Sequence, residues 1–369
     1  MINIRSGLFN WFILVLTWVF FTNIFVAISG LGLRLAVRLG GQALILEDEA
    51  VQYLYSNYRF FEATLFGVLF GTVFYLSNHF IERSPLNRKS FWKLIAIKSG
   101  IYIGSVIAIA AAISGFYVLF GLAPTAWTKL VDFVWSGLFF DEPFMLAAGL
   151  YFVSLIILTN FLILTSRKFG PGNLFLIFMG RYHPPKVEDR IFMFIDLKAS
   201  TTYAEKLGHI RYSKLIQSCF HDLNKVVMKY KAEIYQYVGD EAALTWKLRD
   251  GIENLNCIRV FFAFRDRINA HASYYKKRYG MVPEFKAGLN AGTVTVAEVG
   301  DIKREIAYHG DVVNTVARIQ HLCNDFNVPL IATEEIMDMI ETVEGYRCEM
   351  MGSVMLKGKQ KEVAIYAIY

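Results

Sequence analysis

The sequence predicts an α-helical transmembrane bundle followed by an α/β (α+β) domain, and three observations lead to this fold class. The chain has 369 residues, of which 55% are hydrophobic and 15% aromatic, more than is usual in a soluble protein. The apolar excess is concentrated in residues 1–185, in nearly uncharged runs. From residue 190 onward, strand-like runs alternate with helix-like segments.

Four apolar runs in the first half are long enough to cross a bilayer, which takes about 20 residues in a helix. They are residues 8–29, 60–80, 95–121 and 144–165. Buried helices of a soluble protein are the alternative, but several runs exceed about 18 residues with almost no charge, which is typical of membrane spans. A cleaved signal peptide explains the first run poorly, because that run is too long and no convincing small-residue cleavage site follows it. We therefore expect a membrane domain at 1–165 with four transmembrane helices.

Charged residues between these runs predict the orientation of the chain. Residues 82–98 contain five Lys and Arg residues and a single acid, Glu82, whereas the loop before the fourth run is acidic. By the positive-inside rule, the 82–94 loop and the C-terminal half are cytoplasmic, and an even number of spans places the N-terminus there as well. Arg34 and Arg38 fit this orientation less well. We expect a multi-pass protein of the cell inner (cytoplasmic) membrane.

The formal net charge of +6 is carried almost entirely by the membrane half. Residues 1–185 contain 13 Lys and Arg against 8 Asp and Glu, and residues 186–369 contain 25 against 24. The excess therefore lies beside the membrane, where it contacts anionic lipid, and no basic stripe remains for nucleic acid. The four cysteines all lie in the second half without a CxxC or metal-ligand spacing, so we expect reduced packing residues.

The second half shows the pattern of helices packed against a mostly antiparallel sheet. Apolar and β-branched runs predict strands at 190–196, 233–238, 242–246, 285–293, 304–309, 329–332, 345–351 and 362–368. Helical spacing predicts helices at 201–230 with a break near Gly208, 251–279, 311–326 and 333–341.

Two acids and a polar pair stand out among these elements. Asp196 and Asp240 each follow a strand-like run, and Asn314 and Arg318 lie four residues apart on a predicted helix. Carboxylates at the ends of strands can hold a pair of divalent ions, which activate a hydroxyl and clamp phosphate oxygens during an in-line displacement. Residues four apart share one helix face, so Asn314 and Arg318 can reach the same reacting group.

In this order, these residues resemble the catalytic domain of class III nucleotidyl cyclases, the adenylate and guanylate cyclases. A further shared motif is Leu356-Lys357-Gly358-Lys359 before the last strand. The resemblance covers about residues 186–369 and implies the ferredoxin-like/palm-type cyclase fold for a catalytic domain at 191–369. Residues 166–190 would be the linker. Gly and Pro interrupt it, which fits both a rigid joint that transmits a signal and a plain tether.

The resemblance implies two Mg²⁺ or Mn²⁺ ions per active site, bound by Asp196, Asp240 and the backbone carbonyl of Leu197. Lys357 matches the family's triphosphate-binding lysine. The backbone amides expected to bind the triphosphate, at the start of a helix that attracts anions, are those of Lys198, Ala199, Ser200 and Thr201. The alternative for both acids is that they cap turns at strand ends.

The same resemblance gives Asn314 the role of orienting the ribose and Arg318 that of stabilising charge on the transferring phosphate. The family's metal site and Asn/Arg pair come from opposite subunits, so a head-to-tail homodimer with two equivalent sites is expected. The implied reaction converts ATP to 3′,5′-cyclic AMP and pyrophosphate in intracellular signalling. A surface ion pair with Asp311 or Asp325 is the alternative for Arg318.

The base-reading positions depart from the family pattern. Motif matching places Gln236 at the first position, where adenylate cyclases have Lys and guanylate cyclases have Glu. It places Ala307 at the second position, where adenylate cyclases have Asp or Thr and guanylate cyclases have Cys. The Gln236 amide can serve the edge of adenine or, flipped, that of guanine, whereas Ala307 offers no side-chain hydrogen bond. Tyr308 and His309 could supply a missing contact or simply pack. The family's prevalence favours ATP, with GTP or a pyrimidine triphosphate as alternatives.

Two readings of a different kind remain. A diguanylate cyclase shares the palm-like fold, and Tyr237-Val238-Gly239-Asp240-Glu241 superficially resembles its GGDEF signature. That family lacks the Asn-x-x-x-Arg helix and the closing Lys-Gly-Lys. A catalytically degenerate membrane receptor would explain the unusual Gln236 and Ala307, but such domains usually lose some of the catalytic residues that this chain retains.

Overall fold

The structure is a computed structural model in which the chain divides into two compact units, Met1–Thr165 and Ser166–Tyr369. The described residues are 4–40, 58–84, 86, 90–119, 143–169, 179–302, 304–340, 343–356 and 358–369.

The first unit is helical throughout its described residues, and each predicted run falls largely within one helix. The helices are α1 (Ile4–Gly40), α2 (Tyr58–Arg83), α3 (Phe91–Leu119) and α4 (Pro143–Phe169, which extends into the second unit). Among the described residues, α1, α2 and α3 are long and apolar enough to cross a membrane, whereas α4 contains a shorter apolar stretch. A membrane anchor is therefore supported, and the fourth span stays a prediction.

Aromatic side chains fill the centre of the helical unit. Trp18 of α1 meets Phe70 of α2 edge to face at 4.4 Å between ring centroids, and Phe74 stacks on Tyr102 of α3 at 4.3 Å. All four side chains are fully buried. Such contacts between helices are the kind of van der Waals packing that associates helices in lipid.

The second unit is built on one eight-stranded sheet. Its order is β2-β3-β1-β4-β6-β8-β7, with β5 paired to β4, and only β4 and β6 run parallel. The predicted α/β (α+β) class is confirmed, and the strand positions agree within a few residues except that β4 extends further. The strands are β1 (Lys186–Leu197), β2 (Glu233–Val238), β3 (Glu241–Lys247), β4 (Phe285–Val299), β5 (Glu305–His309), β6 (Leu330–Thr333), β7 (Cys348–Val354) and β8 (Val363–Ile368).

The helices of this unit follow the predicted segments with two corrections. The helix predicted at 333–341 is shorter in the structure, where it covers Glu334–Met337. The predicted helix at 251–279 is three helices, because Asn254 and Leu255 have left-handed backbone angles (φ 53° and 56°) and the chain breaks again at His271. The break at Gly208 (φ 69°) is confirmed. The helices are α5 (Ser200–Val227), α6 (Leu248–Ile252), α7 (Asn256–Ala270), α8 (Ala272–Tyr279), α9 (Asp311–Asp325) and α10 (Glu334–Met337).

The sheet is covered on both faces. Ile191 and Ile195 pack with α5 and α7 on one face, whereas Phe192 and Phe194 pack with Val316 of α9 on the other. Successive strand residues point to opposite faces, so β1 serves both cores and reads as a continuous apolar run. We call the side with Phe192, Phe194 and α9 the α9 face.

The chain enters this unit through residues that lie against the sheet. Tyr182 is buried, donates a hydrogen bond from its hydroxyl to Glu188 Oε1 (3.2 Å), and accepts one at its carbonyl from the Glu298 amide (2.9 Å). Strand β1 begins at Lys186, inside the segment predicted as a linker. The Gly- and Pro-containing stretch at 170–178 lies outside the described residues.

The cysteines match the prediction of packing residues. Cys219, Cys257 and Cys323 are buried free thiols, and Cys348 is half-buried. Burial raises the pKa of each of the first three thiols to about 12. They are therefore neutral at physiological pH and poor nucleophiles, since the thiolate is the reactive form.

Helix α9 packs unusually close to β4 at Gly288. A Cβ atom at this position would lie 2.7 Å from the backbone carbonyl oxygen of Val316 and 2.8 Å from the backbone nitrogen of Gln320. Because both are backbone atoms of the helix, Gly288→Ala is expected to push α9 off the sheet and cost about 1–3 kcal/mol of unfolding free energy.

Thermal unfolding of the full chain in detergent tests this expectation. Gly104→Ala is the matched control, because a Cβ there meets nothing within 4 Å. An unfolding temperature of Gly288→Ala equal to that of the control would show that α9 is not seated as described.

Candidate active site

Asp196 lies near the end of β1 on the α9 face, held by two side chains. It pairs across the sheet with Lys286 of β4, whose Nζ is 3.4 Å from Asp196 Oδ2. Gln320 of α9 donates from Nε2 to the same oxygen at 3.0 Å. Lys286 and Gln320 are 3% and 0% exposed, whereas the Asp196 side chain is 20% exposed. One carboxylate oxygen is therefore held in place while the group still reaches solvent.

Asp240 is brought to this place by a tight hairpin. Val238 of β2 pairs with Glu241 of β3, so that Gly239 and Asp240 form the turn, with Gly239 at φ 62°. Two-residue hairpin turns of this kind favour glycine, which adopts positive φ without strain. Ile195, the neighbour of Asp196, pairs with Ala242 of β3. The turn therefore lies beside the end of β1.

The pKa of Glu241 reflects its burial and the negative charges of Asp196 and Asp240 around it. Burial and, to a smaller extent, the carboxylates of Asp196 and Asp240 together raise its pKa to about 7, against the opposing effect of Lys286. Like charges that share a site favour the protonated acid. The three carboxyl groups therefore form one acidic locus, with the ammonium group of Lys286 beside it.

The predicted triphosphate-binding segment connects β1 to α5. The Lys198 amide donates to the Glu284 carbonyl (2.9 Å), so it is already used within the protein. Ala199 has a left-handed backbone (φ 53°), and α5 begins at Ser200. The first amides of a helix have no intrahelical acceptor, so Ser200 and Thr201 start a helix terminus of the kind that attracts anions.

Tyr212 of α5 also belongs to this region. Burial and the Asp240 carboxylate raise the pKa of Tyr212 to about 12, while a hydrogen bond with Ser200 opposes the rise. The phenol therefore stays protonated and can donate to a carboxylate. Tyr212 therefore links Ser200, at the start of α5, to Asp240 in the hairpin turn.

Asn314 and Arg318 lie on the side of α9 that faces away from the sheet. The buried residues of α9 are Thr315, Val316, Ile319, Gln320 and Cys323. At about 100° per residue, Asn314 and Arg318 share a face nearly opposite Val316. The side chain of α9 that touches Asp196 is Gln320, so the structure does not bring Asn314 and Arg318 to the two acids of the same chain.

The loop between β7 and β8 passes close to Arg318. A Cβ at Gly358 would lie 3.6 Å from an Arg318 guanidinium nitrogen. Lys359 Nζ forms an ion pair with Asp311 Oδ2 at 2.9 Å. Arg318 has no ion pair with Asp311 or Asp325 among the described residues. Lys357, the predicted triphosphate lysine, lies outside the described residues.

The two predicted base-reading residues do not share a face. Gln236 pairs with Ala243 of the α9-face core, and its side chain is exposed. Tyr308 of β5 packs into that core at 4.9 Å between its ring centroid and that of Tyr235, so β5 and β2 contribute side chains to the same core. Ala307 pairs with Ala297 and, by strand alternation, points away from the face of Tyr308. Of these two residues, Gln236 lies on the α9 face together with Asp196, and Ala307 does not.

The donor set fits a hard divalent cation bound together with a nucleotide. Among the described residues, no group of three or more His, Cys, Asp and Glu side chains forms a self-sufficient metal site. Asp196 and Asp240 supply two carboxylates at an acidic locus that holds Glu241 protonated to about pH 7. Mg²⁺ usually binds through one or two carboxylates plus substrate phosphates, so the residues present suit such an ion.

Sequence reasoning missed Lys286, Gln320 and Glu241. The register of two antiparallel strands would have placed Lys286 opposite Asp196, but that register depends on the β1–β4 pairing. Gln320 lies two residues after Arg318 and gave no signal, because its role depends on which helix face meets the sheet.

Comparison with known proteins identifies the family of the second unit. Residues 183–369 match the family model described as the adenylate and guanylate cyclase catalytic domain, which is half of the chain. The chain belongs to this family. The class III cyclase resemblance is therefore confirmed, and Asp196, Asp240, Asn314 and Arg318 all lie within the matched residues.

Curated relatives of this cyclase-family chain include two bacterial enzymes. Adenylate cyclase 2 of Rhizobium meliloti (strain 1021) is 34% identical over 207 residues, covering 56% of this chain and 57% of the relative. The adenylate cyclase of Anabaena cylindrica is 24% identical over 182 residues, covering 48% and 36%. The chain thus spans 57% of the length of the first relative and 36% of the second.

A solved structure supports the fold of the cyclase unit. A bacterial light-regulated adenylyl cyclase superposes with a TM-score of 0.53 at 16% identity, covering 62% of this chain and 67% of that one. Similarity at this level of identity concerns the fold alone.

Proposed function

We propose that this protein is a membrane-anchored adenylate cyclase, a phosphorus-oxygen lyase that converts ATP to 3′,5′-cyclic AMP and pyrophosphate. The observation that carries the proposal is the acidic locus of Asp196 and Asp240 beside the N-terminus of α5. Carboxylates for a divalent cation and amides for phosphate lie where a nucleoside triphosphate needs both. The 34% identity to an adenylate cyclase favours ATP as the substrate.

Each group of the chain has a defined task in this reaction. Two Mg²⁺ or Mn²⁺ ions at Asp196, the Leu197 carbonyl and Asp240 would favour ionisation of the ribose 3′-hydroxyl and neutralise phosphate charge. The amides that start α5 bind the triphosphate. Asn314 orients the ribose, and the Arg318 guanidinium stabilises the charge that develops on the α-phosphate.

The geometry of α9 supports a head-to-tail homodimer. Within one chain, Gln320 contacts Asp196, and Asn314 and Arg318 lie on the far side of the same helix. A single chain therefore cannot apply both sets of residues to one substrate. Two chains related by a twofold axis can, with the acids of one facing the Asn and Arg of the other.

The base is read mainly by Gln236 in this proposal. Its exposed amide lies on the face of Asp196, whereas Ala307 points away. Gln236→Leu is expected to raise the KM for ATP by about tenfold or more, because polar pairing dominates base recognition. Steady-state kinetics with ATP measure this, with Gln217→Leu on the exposed surface of α5 as the control. An unchanged KM for ATP would remove Gln236 from base recognition.

The test of the function is product formation by the purified full chain. ATP, GTP, CTP and UTP are supplied in turn with Mn²⁺ and then Mg²⁺, and products are separated by chromatography. Cyclic AMP as the main product, absent in Asp196→Asn, is expected. Cyclic GMP as the main product would retain the mechanism and replace the substrate, and no product from any triphosphate would contradict the proposal.

The cellular setting is proposed on the same basis. The apolar helices α1 to α3 would anchor the chain in the cell inner (cytoplasmic) membrane. The cyclase unit would then meet cytoplasmic ATP and release cyclic AMP as an intracellular signal.

A further inference from the structure

The side chain of Gln320 carries a feature that packing does not explain. It is fully buried, and Nε2 donates to Asp196 Oδ2 at 3.0 Å. The other amide atom, Oε1, is also buried and has no hydrogen-bond partner among the described residues. A buried carbonyl oxygen without a donor destabilises a folded chain, and native proteins usually satisfy such atoms.

The orientation of this amide is set by its neighbour. An ionised carboxylate only accepts hydrogen bonds, so the NH₂ group faces Asp196, and Oε1, bonded to the same amide carbon, lies next to it. Lys286 approaches the same carboxylate oxygen, Oδ2, at 3.4 Å. Two donors therefore converge on Oδ2, which leaves Oδ1 of Asp196 for a different ligand.

Helix α9 cannot easily shift to relieve Gln320. Asn290 Nδ2 of β4 donates to the Val312 carbonyl at 3.3 Å, and Cys323 Sγ lies 3.2 Å from the Ala287 carbonyl. The close approach at Gly288 fixes the helix between these contacts. Gln320 is thus held rigidly at the point where α9 meets Asp196.

We propose that Gln320 is a positioning residue for the divalent cation, joining the cation-binding carboxylate to the helix that bears Asn314 and Arg318. Nε2 aims Oδ1 of Asp196 at the cation, and Oε1 accepts a hydrogen bond from water that enters with the hydrated ion. Mg²⁺ usually keeps several of its waters when it binds to proteins. Outer partners of this kind commonly change metal affinity by about 10- to 100-fold.

This inference rests on the proposed function and adds a coupling to it. In a head-to-tail homodimer, Asp196 of a chain serves one active site, whereas Asn314 and Arg318 of that chain serve the other. Gln320 joins the two halves within the chain. Cation binding at one site therefore restrains the helix that acts at the other.

The test compares Gln320→Met, which keeps the volume and loses both hydrogen-bonding groups, with the wild type. Cys323→Ala is the matched control, since it alters a buried α9 residue that contacts β4 instead of Asp196. Mn²⁺ alone is titrated into the full chain in detergent and followed by electron paramagnetic resonance. Gln320→Met is expected to weaken the Asp196-dependent binding by about tenfold or more, and Cys323→Ala by less than about twofold.

Kinetics add a readout that a purely structural role would not move. The Mn²⁺ activation constant of Gln320→Met should rise by about tenfold, while the KM for ATP at saturating Mn²⁺ stays near the wild-type value. A lower unfolding temperature with unchanged Mn²⁺ affinity would overturn the proposal. If the wild type binds Mn²⁺ through Asp196 but forms no cyclic nucleotide, the proposed function fails and the Mn²⁺ titration still decides the role of Gln320. If Asp196→Asn leaves Mn²⁺ binding unchanged, both are overturned.

Discussion

Asp240→Asn is expected to abolish cyclic nucleotide formation, with kcat reduced by about a thousandfold or more. The substitution keeps the size of the side chain and the Gly239–Asp240 turn, and removes one of the two carboxylate charges that a divalent cation requires. It also removes a charge that raises the pKa of Glu241, so this pKa should fall. Product formation with Mn²⁺ and ATP measures the effect on catalysis.

The control for this variant is Asp338→Asn, which removes an exposed carboxylate just after α10. It should retain wild-type turnover, and both variants should unfold near the wild-type temperature. Because the Asp240 environment is dense in negative charge, Asp240→Asn is not expected to weaken the fold. Substantial cyclic AMP production by Asp240→Asn would exclude the two-carboxylate site and favour a different set of ligands.

Arg318→Ala and Asp196→Asn are each expected to be inactive alone and to restore activity when the two chains are co-expressed. Loss of an arginine that stabilises a transferring phosphate typically lowers kcat by about 10³- to 10⁵-fold. In a mixed dimer, one active site receives Asp196 from one chain and Arg318 from the other, both intact. Random assortment makes about half of the dimers mixed, with one good site each, so about a quarter of the wild-type activity should return.

A second mixture provides the matched control for this experiment. Asp196→Asn and Asp240→Asn alter the same half-site, so each active site of their mixed dimer contains one defect, and activity should stay absent. Restoration by both mixtures, or by neither, would contradict a head-to-tail dimer in which α9 of one chain meets the acids of the other. Separately tagged chains, purified in tandem, leave only mixed dimers, for which the expected activity is about half of the wild-type value instead of a quarter.

Much of the fold followed from local patterns that operate within a few residues. Apolar and β-branched runs located all eight strands, and helical spacing located α9 closely. The helix predicted at 251–279 was interrupted because left-handed angles at Asn254 and Leu255 are not encoded by hydrophobic spacing. Apolar length placed the membrane helices, although the apolar stretch described in α4 is short.

The same distinction between local patterns and long-range contacts applies to the candidate site. The sequence by itself determined the chemical groups, since acids at strand ends and an Asn and Arg four apart on a helix are local patterns. Only the tertiary structure decided that Lys286 and Gln320 hold Asp196, that Ala307 turns from the face of Gln236, and that Arg318 points away from the acids of its own chain. These outcomes depend on strand register and on which helix face is buried, and both are set by contacts between residues far apart in the chain.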